Sequence, residues 1–167
     1  MAIVFEGRVF SVEVEKVQLP NGREYQIETI HHAPSVVLLP MIDEDHVVLV
    51  RQHRASIWRD TWELPAGSVN PGETAESAAA RECEEEIALA PWRIERLRGL
   101  FPAPGFCDEE LIYFRVSDLR PPAPDSTHRP DDDEDIHVQV FTIADAKSTV
   151  ERGEIVDLKT AYGLTLM

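Results

Sequence analysis

Three glutamates near the middle of the chain have the spacing of side chains that share one face of a helix. Glu82, Glu85 and Glu86 lie at positions i, i+3 and i+4, which are neighbours on a helix surface. Converging carboxylates need a cation between them, and oxygen-only ligands select hard ions such as Mg²⁺ or Mn²⁺. Taken alone, however, the pattern is more typical of a solvated, glutamate-rich helix face.

The helix that must position these carboxylates is predicted from Ala75 to Ala88. Thr74 is the expected N-cap, and "NPG" forms the loop before it. Cys83 and Ile87 fall on an adjacent apolar stripe of the same helix. The helix can therefore bury one side while it presents carboxylates on another.

The rest of the chain reads mainly as strands. Before the helix, the predicted strands are "RVFSVEVEKVQL" and "REYQIETI", which flank the turn "PNG", followed by "SVVLLPMI" and "HVVLVRQHR". After it, the predicted strands are "RIERLRGLF", "ELIYFRVSDL" and "IHVQVFTI", and two short helices, "ADAKSTVERG" and "DLKTAYGLTL", close the chain. This order predicts a layered α/β (α+β) domain over residues 34–167, preceded by a small antiparallel sheet over residues 1–33.

Composition narrows the class of protein. The 167 residues carry a formal net charge of −15, which disfavours nucleic acid as a partner but allows a small phosphorylated ligand if cations lie between. Cys83 and Cys107 form no disulfide framework, which suits a reducing compartment. The N-terminus lacks the apolar core of a signal peptide, and the longest apolar run is too short to span a membrane. We therefore expect a cytoplasmic protein.

The segment upstream of the glutamates has a specific residue spacing that makes the interpretation of the helix more definite. Five residues separate Gly67 from Glu73, and seven more separate Glu73 from "RECEEEIAL". This spacing resembles the Nudix box, G-x5-E-x7-R-E-U-x-E-E-x-G-U, in which U is a bulky aliphatic residue. The matching positions are Gly67, Glu73, Arg81, Glu82, Cys83, Glu85, Glu86 and Leu89.

Two positions depart from this box. Cys83 stands at an aliphatic position, which it can fill because thiols bury well. Ala88 stands where the box has glycine. If that position caps the helix at positive φ, alanine costs about 1 kcal/mol; otherwise the helix simply runs on. Neither departure removes a charged ligand.

The resemblance implies a fold, a cofactor and residue roles. The implied fold is a Nudix-type α/β/α sandwich around a mixed sheet. The implied cofactor is Mg²⁺, or Mn²⁺ as an alternative, with two or more ions. Their implied ligands are the carbonyl of Ala66 and the carboxylates of Glu82, Glu85 and Glu86. An ion pair between Glu73 and Arg81 would brace the loop of the box onto its helix.

The residues around the box are similar to those of ADP-ribose and nucleotide-sugar pyrophosphatases. "WELPAG" resembles the lead-in of that subgroup, and "VVLVRQHR" resembles its strand whose final Arg meets the substrate phosphates. A proline about fifteen residues beyond the box marks the ADP-ribose members, and Pro104 lies fifteen residues beyond Leu89. The implied substrate contacts are Arg54, Gly67, Pro104 and Gly105.

A Pro- and Asp-rich loop at 120–135, "RPPAPDSTHRPDDDED", holds the implied general base. Loops this long inside a compact domain are functional or disordered. In the resembled subgroup a loop Glu takes the proton of the attacking water. Glu134 is the first choice, followed by Asp133 and Asp132, and Glu85 in the box is the alternative.

Three other residues of catalytic types are given no chemical role. His128 and His137 lack the spacing of metal ligands and are interpreted as surface or strand residues. Cys107 in "GFCDE" has no base beside it in the sequence, so a thiol nucleophile is not expected.

The strand-rich N-terminus favours a homodimer in which the partner chain helps to hold the adenine. Tyr25 and Trp58 are the candidate stacking residues. The resembled subgroup commonly has an Arg just before the Glu of its fourth strand, contributed to the ligand across the dimer. Here Ile27 occupies that place, before Glu28, so either Arg23 substitutes or the nucleotide is held differently.

The sequence therefore predicts metal-dependent hydrolysis of a nucleoside diphosphate derivative, foremost ADP-ribose to AMP and ribose 5-phosphate. One alternative is a pyrophosphatase for another nucleotide sugar, of the GDP-mannose type, or for FAD. A second is a Nudix module that senses a nucleotide without cleaving it. Intact box carboxylates and the absence of a basic helix-turn-helix after Asp157 argue against this second alternative.

Overall fold

The computed structural model describes residues 2–128 and 136–167, and within them the chain forms ten strands and three α-helices. The strands are β1 (Ala2–Glu6), β2 (Phe10–Gln18), β3 (Glu24–His32), β4 (Ser35–Pro40), β5 (His46–Arg54), β6 (Arg59–Glu63), β7 (Ala66–Ser68), β8 (Ala90–Leu100), β9 (Leu111–Arg120) and β10 (His137–Thr142). The helices are α1 (Ala75–Ile87), α2 (Ile143–Glu151) and α3 (Leu158–Gly163), and a 3₁₀ turn, Leu164–Leu166, follows α3.

These strands pair in three groups. The first is the N-terminal sheet, in the order β1-β2-β3. The second is antiparallel, in the order β10-β5-β6. In the third, β7-β4-β9-β8, strands β4 and β9 run parallel and the other neighbours antiparallel. Strands β4 and β5 are also in contact, which places the second and third groups side by side.

The alternation of side chains along β4 divides the core into two layers. Val36 and Leu38 pack in the cluster that includes helix α1. Val37 and Leu39 pack on the opposite face, in the cluster that includes Ala146 of α2 and the closing 3₁₀ turn. Successive strand residues point to opposite faces, so a strand that is apolar throughout is covered on both sides. The predicted fold class, helices on both faces of a mixed sheet, is confirmed.

The N-terminal hairpin forms at the predicted turn. Strands β2 and β3 pair from Gln18 with Glu24 onwards, and Gly22 adopts a φ of 80° between them. Asn21 tightens the turn, because its Oδ1 accepts a hydrogen bond from the Arg23 amide at 3.0 Å. Strand β1 completes this sheet and is exposed along its whole length.

The end of β3 joins the N-terminal sheet to the loop between β8 and β9. The amide of Ile30 donates to Phe106 O at 2.7 Å, and the amide of Asp108 donates to Ile30 O at 3.1 Å. The side chain of Asp108 accepts the amide of His32 at 2.9 Å. The sheet is therefore fixed to the main domain by a short backbone ladder. In the described part of the chain, no helix has the length and hydropathy of a membrane span.

Candidate active site

Both ends of helix α1 are fixed by local chemistry. The Thr74 hydroxyl accepts a hydrogen bond from the Ser77 amide at 3.1 Å, so Thr74 is the predicted N-cap. At the other end Ala88 adopts the left-handed conformation, with φ 55°, and its amide donates to Glu84 O at 3.1 Å. The helix therefore stops at Ala88 instead of running on.

Arg81 ties the loop before α1 to the carboxylates on it. Its Nε and Nη2 donate to the two carboxylate oxygens of Glu73, both at 3.0 Å, and Nη2 also donates to Ser68 O at 2.9 Å. Its Nη1 donates to Glu82 Oε1 at 2.5 Å and to Glu85 Oε2 at 2.7 Å. Glu73 above all raises the pKa of Arg81, and Arg81 in turn lowers the pKa of Glu73. The expected ion pair between Glu73 and Arg81 is present.

The carboxylates of the box are not a solvated face. Glu82 and Glu86 are buried, with relative exposures of 8% and 4%. Glu82 lies against strand β7, where a Cβ added to Gly67 would overlap its carboxylate. Burying ionised carboxylates is costly unless cations compensate them. Their burial therefore disfavours the interpretation of this helix as merely polar.

The donor set fits a hard divalent cation. Glu82, Glu85 and Glu86 offer oxygen atoms alone, and the carbonyl of Ala66 lies next to Gly67 on β7. Within residues 2–128 and 136–167, no three acidic, His or Cys side chains are already arranged as a metal site. Arg81 supplies part of the positive charge that a metal ion would bring, since its Nη1 bonds both Glu82 and Glu85.

A cleft of about 360 Å³ opens beside β7. Gly67 is part of its wall, so the cleft adjoins the box carboxylates. A carboxylate that the sequence analysis did not single out, Glu109, lies on another wall, and its Oε1 accepts the Ser35 hydroxyl at 2.7 Å. The lining also includes the basic residues His32, Arg54 and Lys159. The cleft thus has cationic groups in its lining and box carboxylates next to its wall.

Arg54 is held in the cleft by a buried glutamate. Its Nε and Nη2 donate to the two oxygens of Glu63 at 2.8 and 2.6 Å. Glu63 is 1% exposed. Burial alone would raise the pKa of Glu63, but Arg54 and Lys159 together hold it below its usual value. Glu63 in turn raises the pKa of Arg54. Arg54 is therefore a fixed cation of the lining.

Lys159 and Asp157 complete this network from the C-terminal helix. Lys159 Nζ donates to Glu63 Oε2 and, at 2.9 Å, to Asp157 Oδ2. No motif of the sequence predicts a role for Glu63, Asp157 or Lys159. The burial of Glu63 could have been suspected from its place in "WELPAG", but Lys159 lies 96 residues further along the chain and carries no local signal.

The other expected substrate residues lie outside this cleft. Pro104 and Gly105 line a second groove, of about 350 Å³, between β3 and the loop before β9. Tyr25 is exposed on the N-terminal sheet. Trp58 is 84% exposed in the turn between β5 and β6, near His53. Stacking by Tyr25 and Trp58 against a nucleotide stays a prediction.

The expected general bases Glu134, Asp133 and Asp132 lie outside the described residues. The described beginning of their loop meets α1 at a glutamate that is not among the expected ligands. Ser126 Oγ donates to Glu84 Oε2 at 2.5 Å, and His128 Nδ1 lies 3.2 Å from the same oxygen. Glu84 thus joins the loop to the helix instead of facing the other carboxylates.

Cys83, Cys107 and His137 lie where the structure gives them no chemical role. Cys83 is fully buried, and burial raises the pKa of its thiol to about 12, which leaves it inert as a nucleophile at neutral pH. Cys107 is partly buried and forms an isolated backbone bridge with Ile30. His137 begins strand β10 opposite Arg51.

Comparison with known proteins gives consistent matches. The family model for the NUDIX domain matches residues 31–159. An ADP-ribose pyrophosphatase of Bacillus subtilis (strain 168) is 34% identical over 161 residues, which cover 96% of this chain and 86% of that relative. An ADP-ribose pyrophosphatase of Mycobacterium tuberculosis (strain ATCC 25618 / H37Rv) is 33% identical over 152 residues, which cover 90% of this chain and 72% of that relative.

A solved structure has the same fold. The crystal structure of an ADP compounds hydrolase superposes with a TM-score of 0.83, covering 99% of this chain and 88% of that chain at 22% sequence identity. At this identity the likeness concerns the fold alone. It extends over the N-terminal sheet as well as the layered domain, since nearly the whole chain is covered.

Proposed function

The chain belongs to the Nudix family, and on that premise we propose that it hydrolyses the pyrophosphate bond of ADP-ribose, giving AMP and ribose 5-phosphate. One observation carries the proposal: Gly67 is shared by the box and the cleft, so that Glu82 lies directly behind a wall whose other members include Arg54 and Lys159. A pyrophosphate in the cleft would meet fixed cations and, through metal ions, carboxylates. The similarity to ADP-ribose pyrophosphatases supports the choice of substrate.

We assign the metal ligands as the sequence predicts them. The carbonyl of Ala66 and the carboxylates of Glu82, Glu85 and Glu86 would hold two or more Mg²⁺ ions, or Mn²⁺. When bound, such ions neutralise phosphate oxygens and lower the pKa of a coordinated water. Arg81 keeps the loop of the box against α1, because it bonds Glu73 and the carbonyl of Ser68 at the same time.

Phosphate binding and proton transfer are carried out by side chains of this protein. Arg54 offers a guanidinium to the phosphates, and Glu63 holds it in place. A carboxylate takes the proton of the attacking water. We propose Glu134 for this role, with Asp133 and Asp132 as the neighbours to test next and Glu85 as the alternative. Substrate contacts at Gly67, Pro104 and Gly105 are also proposed.

A screen of nucleoside diphosphate derivatives tests the proposal. Purified enzyme is incubated with ADP-ribose, GDP-mannose, other nucleotide sugars and FAD, each with Mg²⁺ and with Mn²⁺, and the products are separated by chromatography. We expect the highest kcat/KM for ADP-ribose. Faster cleavage of another compound would move the substrate to one of the alternatives. Binding of nucleotides without any cleavage would indicate a sensing module.

We further propose that the chain forms a homodimer through residues 1–33, as a subdomain distinct from residues 34–167. The exposed apolar side chains in and beside this sheet support it, since large exposed apolar patches mark interaction sites. They include Ile3, Val4, Phe5, Val9 and Phe10. Light scattering at working concentration tests the dimer, and a monomer mass would contradict it.

A reducing, cytoplasmic setting is proposed because Cys83 and Cys107 are both free.

A further inference from the structure

The carboxylate of Glu63 is shared by two cations from distant parts of the chain. Arg54 at the end of β5 bonds both of its oxygens, and Lys159 of α3 bonds Oε2. A carboxylate this buried stays ionised when cations surround it, and losing one partner leaves the charge less compensated. Arg54 is therefore linked through Glu63 to a side chain that the box does not contain.

We propose that Lys159 is a positioning residue for phosphate binding, which fixes the Glu63 carboxylate so that Glu63 holds Arg54 in the cleft. This inference rests on the proposed function, because it takes the phosphates of the substrate as the ligand of Arg54. The Nη1 group of Arg54 can still donate hydrogen bonds to these phosphates. Within the described residues it bonds no acceptor, and the Arg54 side chain is 40% exposed.

Helix α3 does not need the Lys159 ammonium group to stay in place. Asp157 caps the helix by accepting the Thr160 amide at 3.0 Å, and the Thr160 hydroxyl accepts the Leu64 amide at 2.8 Å. The hydroxyl of Tyr113 donates to the backbone carbonyl of Lys159 at 3.2 Å. The Thr160–Leu64 bond and the Tyr113 bond do not involve the ammonium group, and Asp157, which Lys159 Nζ also bonds, still has the Thr160 amide as a donor when that group is removed. Its removal should therefore act on Glu63 more than on the helix.

The test uses Lys159→Met, with Lys159→Arg as the conservative variant and Lys147→Met as the matched control. Lys147 is an exposed lysine of α2 that bonds the backbone at Met167 O and lies outside the cleft lining. For ADP-ribose we expect Lys159→Met to raise KM about tenfold while kcat changes less than about twofold, as for loss of uniform binding. Lys159→Arg should recover most of the affinity, and Lys147→Met should behave as wild type.

A second readout does not need turnover. The Nε–H group of Arg54, bonded to Glu63, gives a resonance in ¹⁵N–¹H spectra that reports the geometry of this pair. We expect Lys159→Met to shift or broaden it and Lys147→Met to leave it unchanged. If wild type fails to cleave ADP-ribose, the proposed function fails, but this spectrum still tests the coupling between Lys159 and Arg54.

An unchanged KM together with an unchanged Arg54 resonance in Lys159→Met would overturn the inference. If Lys159→Met does not fold, the pair Glu63→Gln/Lys159→Met removes both charges together and leaves no unpaired buried carboxylate. This pair is compared with Glu63→Gln alone. Because Lys159 acts through Glu63, the inference predicts the same KM and the same Arg54 resonance in both variants, and a further rise of KM in the pair would overturn it.

Discussion

Gly67 of β7 lies so close to Glu82 of α1 that a side chain on Gly67 would occupy the space of the Glu82 carboxylate. The glycine is needed here for close approach and not for its backbone freedom, since its φ is not in the left-handed region. The first residue of the box therefore controls where its buried carboxylate lies relative to the cleft.

Gly67→Ala should lower turnover by about 10²-fold, because small displacements of catalytic groups have effects of that size. The methyl group would push Glu82 away from β7. Gly153→Ala is the control: Gly153 has open space around it but a φ of 72°, so its substitution strains the backbone without touching the site. Steady-state assays and thermal melts check both variants. Equal turnover in the two variants would contradict this role of Gly67.

Local signals explain how much of the fold could be predicted. The turn "PNG", the strand "HVVLVRQHR" and the N-cap Thr74 each depend on neighbouring residues, and all three appear in the structure where they were expected. The NUDIX match confirms the family that the spacing of the box suggested.

The parts that were not predicted depend on distance in the chain. Lys159 reaches Glu63 across 96 residues, and no local pattern marks such a pair. The contact of Gly67 with Glu82 likewise follows from the packing of β7 on α1. The motif includes both residues, but their spacing in the sequence does not predict that they touch. Which loop carboxylate acts as base stays a prediction, since Glu134 and its neighbours lie outside the described residues.

Ala88→Gly should stabilise the protein by about 1 kcal/mol, because a left-handed φ of 55° is unfavourable for an L-residue with a Cβ. Urea denaturation measures the change. Ala80→Gly, inside the same helix, is the control with the opposite sign, since glycine in a helix interior costs about 1 kcal/mol. Destabilisation by Ala88→Gly would show that the cap is not strained.

The link between the N-terminal sheet and the main domain should depend on pH through His31. Its Nδ1 lies 2.6 Å from Asp108 Oδ2 and its Nε2 lies 2.9 Å from Glu13 Oε2. Bonds to Asp108 first, and then to Glu13, raise the pKa of His31 above 6.5. Protonated His31 therefore contributes stability that is fully present below pH 6.5 and is lost as the pH rises through the raised pKa.

The measurement is the difference in melting temperature between wild type and His31→Gln at several pH values. We expect the largest difference at mildly acidic pH and a smaller one on the alkaline side of the raised pKa. In an Asp108→Asn background the pH dependence should weaken, because the main acceptor is no longer charged. A difference that grows with pH would have the wrong sign for this account.

Glu134→Gln should lower kcat by about 10²- to 10⁴-fold with little change in KM, as expected for loss of a general base. Asp133→Asn and Asp132→Asn, at the next candidates in the same loop, are assayed beside it and should turn over near the wild-type rate if Glu134 is the base. Metal affinity, measured from the Mg²⁺ dependence of the remaining rate, should not change. If all three variants turn over normally, Glu85 becomes the base to test.

Metal-dependent cleavage of ADP-ribose at the box carboxylates is tested by comparing wild type with Glu86→Gln. AMP and ribose 5-phosphate are measured by chromatography while Mg²⁺ is titrated from zero to saturation. We expect that wild type forms these products only with Mg²⁺, and that Glu86→Gln loses most turnover at every Mg²⁺ concentration while thermal melting shows that it is folded. Near wild-type turnover of Glu86→Gln at saturating Mg²⁺, or cleavage by wild type without divalent cation, would contradict it.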